Sequence, residues 1–109
     1  MDMATVVKRI MIEEDITQTE LAKRVGLSRQ RISDFLGRKN ATFNTVKAIM
    51  NALDRDIVIR KKDGSDLECD REELYRVIEE NAPMYGKLES ILNALGYRID
   101  IIKQEKAMD

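Results

Sequence analysis

The sequence of 109 residues contains no histidine and no tryptophan, and it has a single cysteine, Cys69, and a single proline, Pro83. One cysteine excludes a disulfide within the chain, and a zinc site built from cysteine and histidine would lack ligands. Histidine is the commonest acid–base residue of enzymes, and Cys69 has no evident base beside it in the sequence. We therefore expect no enzymatic activity, no metal and no cofactor.

The chain also lacks a long apolar run. Its first residues, MDMATVVKRIMIEED, interrupt apolar residues with charges, and no run approaches the ~18 apolar residues of a membrane span. We expect no signal peptide and no membrane insertion, and the cysteine usage fits a cytoplasmic protein. With 43% hydrophobic and 36% charged residues, the composition predicts a helix-rich globular protein with one small core.

Charge is distributed unevenly along the sequence. Residues 1–62 contain 13 Lys and Arg against 8 Asp and Glu, a balance of +5, whereas residues 63–109 contain 6 against 12, a balance of −6. Six basic residues and one acidic residue lie between Lys23 and Lys39. The formal net charge of −1 therefore conceals a basic segment.

Capping signals predict two helices at the start of the chain. Apolar residues recur at three- and four-residue steps between Met3 and Met11, which predicts a first helix that ends near Asp15. Thr17 and Glu20 form a T-x-x-E capping box, so a second helix begins there.

A short turn and two more helices follow. Gly26 can adopt the left-handed conformation that ends a helix, and Ser28 is the next cap. The third helix has a narrow apolar stripe of Ile32, Phe35 and Leu36. The candidate caps of a fourth helix are Asn40, Thr42 and Asn44.

Beyond the fourth helix the pattern predicts strands and helices. Residues 55–62 have strand character, and Asp63-Gly64 is a turn signal that predicts a short returning strand with Leu67 and Cys69. Asp70 caps a helix, Pro83 suits the first turn of another, and residues 97–103 form a second strand. We expect the first of these helices to bury Leu74, Val77 and Ile78. The second carries the apolar residues Leu88, Ile91, Leu92 and Leu95.

Residues 49–61, IMNALDRDIVIRK, align with residues 91–103, ILNALGYRIDIIK, with seven identities at a constant offset of 42. This pattern favours a partial duplication of a helix–strand unit over chance similarity of packed elements. The two strands can pair within one chain or between subunits, and the pattern favours neither arrangement.

The segment TQTELAKRVGLSRQRISDFLGRKN, residues 17–40, resembles the phage-repressor and Cro-like (Xre) helix-turn-helix family. The matching residues are Gln18, Leu21, Ala22, Gly26, Ser28, Ile32, Arg38 and Lys39. The resemblance covers about residues 3–54 and implies a lambda-repressor-like helix-turn-helix bundle. Together with the patterns described above, it predicts a mainly α fold with a small β element and a C-terminal helical extension. We therefore divide the chain into a DNA-binding domain, 1–54, and a strand–helix–helix–strand extension, 55–109, for dimerisation or partner binding. The acidic part of this extension, 63–109, departs from the family pattern. An acidic residue common near the end of the family's third helix is absent here, where Phe35-Leu36-Gly37 stand.

The resemblance also assigns roles to residues around the third helix, about 28–36, which is expected to enter the major groove. The implied base-contacting residues are Arg29, Gln30, Ser33 and Asp34. For Asp34 an ion pair with Arg31 or Arg38 along the helix is the alternative. The implied phosphate-binding residues are Gln18, Arg31, Arg38, Lys39 and Asn40.

The implied function is that of a sequence-specific, double-stranded DNA-binding transcriptional regulator, repressor-like and homodimeric. A local basic surface can bind DNA although the whole chain is slightly acidic. The alternative is an antitoxin-type or other protein-interaction module that uses the acidic C-terminal half to cover a partner such as a toxin.

Overall fold

The computed structural model describes residues 3–38 and 41–104, with the side chain of Arg38 excepted. The described residues form six helices and one two-stranded sheet, as expected for the mainly α fold class. In chain order the elements are α1 (Met3–Glu13), α2 (Gln18–Val25), α3 (Arg29–Arg38), α4 (Phe43–Ala52), β1 (Arg55–Lys61), α5 (Arg71–Asn81), α6 (Tyr85–Ala94) and β2 (Tyr97–Lys103).

The predicted caps begin the helices. Thr17 Oγ1 accepts a hydrogen bond from Glu20 N (3.1 Å), and Ser28 Oγ accepts one from Arg31 N (3.1 Å). Thr42 caps α4, because its Oγ1 accepts from Thr45 N at 3.2 Å. Each bond pairs an N–H that has no partner inside the helix, so the caps fix where the helices start.

One apolar core holds these elements together. Helix α1 packs on α3, and α2 packs on both α3 and α4. The side chains that are almost completely buried come from these helices and from β1, and they are Val7, Leu21, Ile32, Phe43, Val46, Ile49, Met50, Leu53 and Ile59.

The two strands pair with each other in one chain. They are antiparallel, with Ile57 opposite Ile101 and Ile59 opposite Ile99. The prediction of a returning strand at residues 67–69 was wrong, because no strand forms there. After β1 the chain makes only a tight turn, in which Gly64 N donates to Lys61 O and Lys61 N donates to Ser65 O. The strand that pairs with β1 is β2 instead.

The repeat corresponds to an internal two-fold arrangement. Phe43 N donates to Pro83 O and Tyr85 N donates to Ala41 O, both at 2.8 Å. At the repeat offset of 42, Ala41 corresponds to Pro83 and Phe43 to Tyr85. Replacing each residue by its counterpart therefore converts one of these hydrogen bonds into the other. The pairs Thr42–Met84 and Val58–Asp100 are also 42 residues apart and lie directly opposite each other. Residues 41–61 and 83–103 therefore form two similar helix–strand units around an approximate two-fold axis.

Helix α5 lies against α4 and β1. Tyr75 accepts a hydrogen bond at its hydroxyl oxygen from Ile59 N (2.9 Å), and Glu79 forms an ion pair with Lys47. Glu79 O also accepts from Asn44 Nδ2 at 3.0 Å. These polar contacts join α5 to the first unit.

Val77 of α5 was expected to be buried and is exposed, whereas Ile78 is buried as expected and Leu74 is half-buried. Of the apolar residues of α6 and its C-cap, Leu88 and Leu92 are buried, and Ile91 and Leu95 are exposed. Periodicity identifies an apolar face of a helix, but exposure depends on whether another element covers that face.

Among the described residues, no helix is long and apolar enough to cross a membrane.

Candidate nucleic-acid interface

A left-handed glycine sets the angle between α2 and α3. Gly26 has φ 81°, and the N–H groups of Gly26 and Leu27 both donate to Ala22 O, at 2.9 and 3.1 Å. A side chain at this φ would be strained, so glycine lets α2 end within one residue. Ser28 then starts α3 after a short turn, which is the geometry of a helix-turn-helix.

Burial of one side of α3 leaves its other side in solvent. Ile32, Phe35 and Leu36 are all 5% exposed or less and belong to the core. Because α3 packs on α1 and α2 through this buried side, the core fixes the direction in which its outer side faces. A rigid support positions side chains better than a loop does.

The outer side of α3 carries three of the four predicted base-contacting residues. Arg29, Gln30 and Ser33 are exposed in the full chain, so the acidic second half does not cover them. Gly37 lies one turn beyond Ser33 on the same side and is exposed too. We name Arg29, Gln30, Ser33 and Gly37 the outer face of α3.

Asp34 is half-buried and contacts Gln30. Gln30 Nε2 donates a hydrogen bond to Asp34 Oδ1 at 3.0 Å. Gln30 is thus one partner of Asp34, and the described residues include no ion pair between Asp34 and Arg31. The expected pairing with Arg38 concerns a side chain outside the described residues. The bond orients the amide and leaves the Gln30 carbonyl and one N–H available.

The predicted phosphate-binding residues flank this face. Gln18 is the first residue of α2 and is half-buried, next to the Thr17 cap. Arg31 is exposed and lies beside Thr42 and Met84 at a shallow cavity between α3 and α4. The roles assigned to the Arg38 side chain and to Lys39 and Asn40 lie outside the described residues.

The surface formed by α2 and α3 keeps positive charge that ion pairs within the chain do not neutralise. Arg24 is partly neutralised by Glu20, with 2.8 Å between Nη2 and Oε1. Lys23, Arg29 and Arg31 are exposed, and the first turn of α3 contains no acid. Backbone N–H groups at a helix N-terminus also favour anions, so the start of α2 adds to the attraction for phosphate.

Gly37 was not among the residues that the sequence predicted for this surface. A Cβ at this position would meet no atom within 4 Å, and its φ is not in the left-handed region. The fold therefore does not require glycine here, although glycine weakens a helix by roughly 0.5–1 kcal/mol relative to alanine. A glycine inside an otherwise helical pattern was the available signal.

One of the comparisons with known proteins found a match. No curated protein and no solved structure matched the chain. A family model matches residues 6–57, which contain α2, α3 and α4 and most of α1. This segment, just under half of the chain, therefore matches the Cro/C1-type helix-turn-helix DNA-binding domain family.

Proposed function

We propose that this protein is a sequence-specific, double-stranded DNA-binding transcriptional regulator that acts in the cytoplasm. The observation that carries the proposal is the outer face of α3, which is exposed in the full chain and sits in a Cro/C1-type domain. In the proposed complex α3 lies in the major groove, which is wide enough for a helix.

Arg29 and Gln30 supply most of the sequence preference. The Arg29 guanidinium can donate two parallel hydrogen bonds to O6 and N7 of guanine. The Gln30 amide can accept from N6 of adenine and donate to N7, and its bond to Asp34 leaves both groups available. Ser33 can bond to several base edges and adds less discrimination.

Asp34 acts mainly through Gln30 in this proposal. Its carboxylate holds the Gln30 amide in one orientation before DNA arrives, which lowers the entropy lost on binding. The remaining acceptor capacity of Asp34 can still accept from a cytosine amino group.

The flanking residues bind the DNA backbone without sequence preference. Gln18 donates to a phosphate at the start of α2, and Arg31, Arg38, Lys39 and Asn40 bind phosphates on both sides of α3. Because these contacts release counterions, binding falls steeply as salt increases.

The proposed regulator is repressor-like and homodimeric. One α3 contacts only a few base pairs, so two copies on half-sites about one helical turn (~34 Å) apart give a longer site. Occupying such a site can block transcription from an overlapping promoter.

Selection from a random DNA pool tests the proposal. We expect the full chain to enrich one motif at moderate salt. The variant Arg29→Ala/Gln30→Ala should lose about 1–3 kcal/mol of binding free energy per bidentate contact and relax the preference at those positions. Arg76→Ala is the matched control, because it removes an exposed cation from α5. Equal binding of the selected site by the double variant and by the parent would refute the proposal.

A protein partner is the second candidate. The exposed side of α5 carries Glu72, Glu73 and Glu80, which could hold a cationic protein such as a toxin in an antitoxin-type complex. As the sole function, with no DNA binding, it predicts that no DNA motif is enriched. It also predicts that a Glu72→Gln/Glu73→Gln/Glu80→Gln variant loses its partner while its fold is retained.

A further inference from the structure

A cleft lies between α4, β1 and α5. Its volume is about 680 Å³, within the range of roughly 300–1,000 Å³ that is typical of ligand sites. Asn44 and Ala48 line it from α4, Ile57 from β1 and Tyr75 from α5. No described residue of the outer face of α3 lines this cleft, so it is a separate candidate site.

One edge of β1 opens into the cleft. In an antiparallel pair, the N–H and C=O groups of alternate residues point towards the partner strand, and those of the residues between them point away. Ile59 N donates to the Tyr75 hydroxyl oxygen (2.9 Å) and Lys61 N donates to Ser65 O (3.1 Å), so both residues point away from β2. Ile57 precedes Ile59 by two residues in the same strand. Its N–H and C=O therefore point away from β2 as well.

These two backbone groups of Ile57 lack partners. In the described part of the chain, neither its N–H nor its C=O makes a hydrogen bond. Ile57 is nevertheless only 6% exposed. A buried backbone group without a partner costs about as much free energy as a lost hydrogen bond, so nearly all such groups in proteins are paired. The cleft thus contains one donor and one acceptor that a bound molecule can satisfy.

The Asn44 side chain adds a second acceptor. Its Oδ1 is buried and has no hydrogen-bond partner among the described residues. Asn44 Nδ2 donates to Glu79 O (3.0 Å), and because a carbonyl oxygen can only accept, this bond fixes the orientation of the amide. The unpaired oxygen is therefore Oδ1, and it requires a donor.

This set of groups selects an extended peptide. The N–H and C=O of one residue on a free strand edge match the C=O and N–H of one residue of an added strand. A further N–H of the same peptide can donate to Asn44 Oδ1. The DNA backbone offers acceptors alone, so it would leave both Asn44 Oδ1 and the Ile57 carbonyl unpaired.

Tyr75 limits the length of the open edge. Its hydroxyl already occupies the edge at Ile59, so only the part of β1 that precedes Ile59 is open. An added strand rises about 3.3 Å per residue, and the paired segment must therefore be short.

Charge does not dominate this cleft. The three cations that line it all form ion pairs, and they are Lys47, Arg55 and Arg71. Main-chain hydrogen bonds therefore supply most of the affinity, as in other cases of strand addition.

We propose that this cleft binds a short extended peptide segment, which pairs with Ile57 as an added strand beside β1. The peptide also donates a hydrogen bond to Asn44 Oδ1. This binding goes beyond the proposed function and does not depend on it.

Selection from random short peptides displayed on phage, with the full chain as the target, tests the proposal. An enriched peptide is then synthesised and added to the isotope-labelled chain, whose backbone amide signals are followed by NMR. We expect the Ile57 signal to shift until the peptide saturates the site. The exchange of this amide with solvent should slow by about tenfold or more, because its N–H gains a partner.

Two alanine positions supply the variant and its control. Ala48 is exposed and lines the cleft, so Ala48→Phe should fill the cleft, abolish peptide binding and leave the circular dichroism spectrum unchanged. Ala94→Phe is the matched control, because Ala94 is an exposed alanine of α6 that does not line the cleft. It should bind the peptide as the parent does.

Changes to the peptide test the pairing itself. N-methylation at successive residues removes one donor at a time, and binding should weaken by about tenfold at the residue that pairs with Ile57. Failure to enrich any peptide, binding that Ala48→Phe retains, or binding that leaves the Ile57 signal unshifted overturns the proposal. Free amino acids that shift this signal as strongly as the peptide would overturn the assignment of an extended peptide.

Discussion

The same substitution at two equivalent positions should have very different effects on stability. Leu53 and Leu95 are the C-cap residues of α4 and α6, with φ,ψ of −97°,13° and −87°,0°. Their N–H groups donate to equivalent carbonyls, those of Ile49 and Ile91 among them. Replacing either leucine by alanine therefore changes local helix geometry equally, and the difference between the two variants isolates burial.

The expected magnitudes follow from exposure. Leu53 is 1% exposed, so Leu53→Ala removes a packed side chain and leaves a cavity, which costs about 2–5 kcal/mol of unfolding free energy. Leu95 is 66% exposed, so only about a third of its surface is buried. With 1.5–3 kcal/mol for full burial of a leucine, Leu95→Ala should cost about 0.5–1 kcal/mol.

Urea unfolding followed by circular dichroism measures both values. The protein should be dilute, so that self-association does not contribute to the measured stability. We expect the midpoint of Leu53→Ala to fall clearly below that of Leu95→Ala, with similar slopes for both variants. Losses that agree within about 0.5 kcal/mol would refute the argument that burial distinguishes the two leucines.

Three further predictions concern single side chains. Gly37→Ala should stabilise the fold by about 0.5–1 kcal/mol in thermal unfolding, and weaker DNA binding by this variant would place DNA close to that backbone. Burial, with a smaller contribution from the Glu89 carboxylate, raises the pKa of Tyr85 above its ordinary value. The folded state thus favours the neutral phenol. The contribution of Tyr85 to the free energy of unfolding is therefore fully present below pH ~10, the pKa of an unfolded tyrosine, and is lost as the pH rises further. Tyr85→Phe should raise the alkaline midpoint of unfolding, and an unchanged midpoint contradicts this. Asp34→Ala should leave stability nearly unchanged and reduce the preference for adenine in competition binding, because Gln30 loses its orienting partner; an unaltered preference would show that the bond has no role.

The helix starts could be predicted because capping is local. Thr17, Ser28 and Asp70 each bind an N–H within three residues, so a short stretch of sequence contains the whole interaction. The left-handed turn at Gly26 was predictable for the same reason. The base-contacting candidates on α3 came from the family resemblance, whereas the exposure of Arg29, Gln30 and Ser33 followed from the spacing of the buried residues.

Features that depend on distant parts of the chain could not be predicted. Periodicity placed Ile91 and Leu95 on an apolar face, but it does not tell whether another element covers that face, and both side chains are exposed. The strand that pairs with β1 could not be chosen from local sequence, because the candidates lie in different parts of the chain. In the structure β2 pairs with β1, where residues 67–69 had been expected. The Gln30–Asp34 bond was missed because several polar partners are within reach of Asp34 on a helix.

Protection of guanine N7 from methylation by dimethyl sulfate tests most directly whether α3 lies in the major groove. On a selected DNA site, the parent chain should protect one guanine per half-site, since Arg29 is expected to bond to its N7 and O6. Arg29→Ala should lose that protection, and Arg76→Ala on α5 should keep it. Protection that is absent from the major groove, or that persists unchanged in Arg29→Ala, would contradict the assignment of α3 as the DNA-contacting helix.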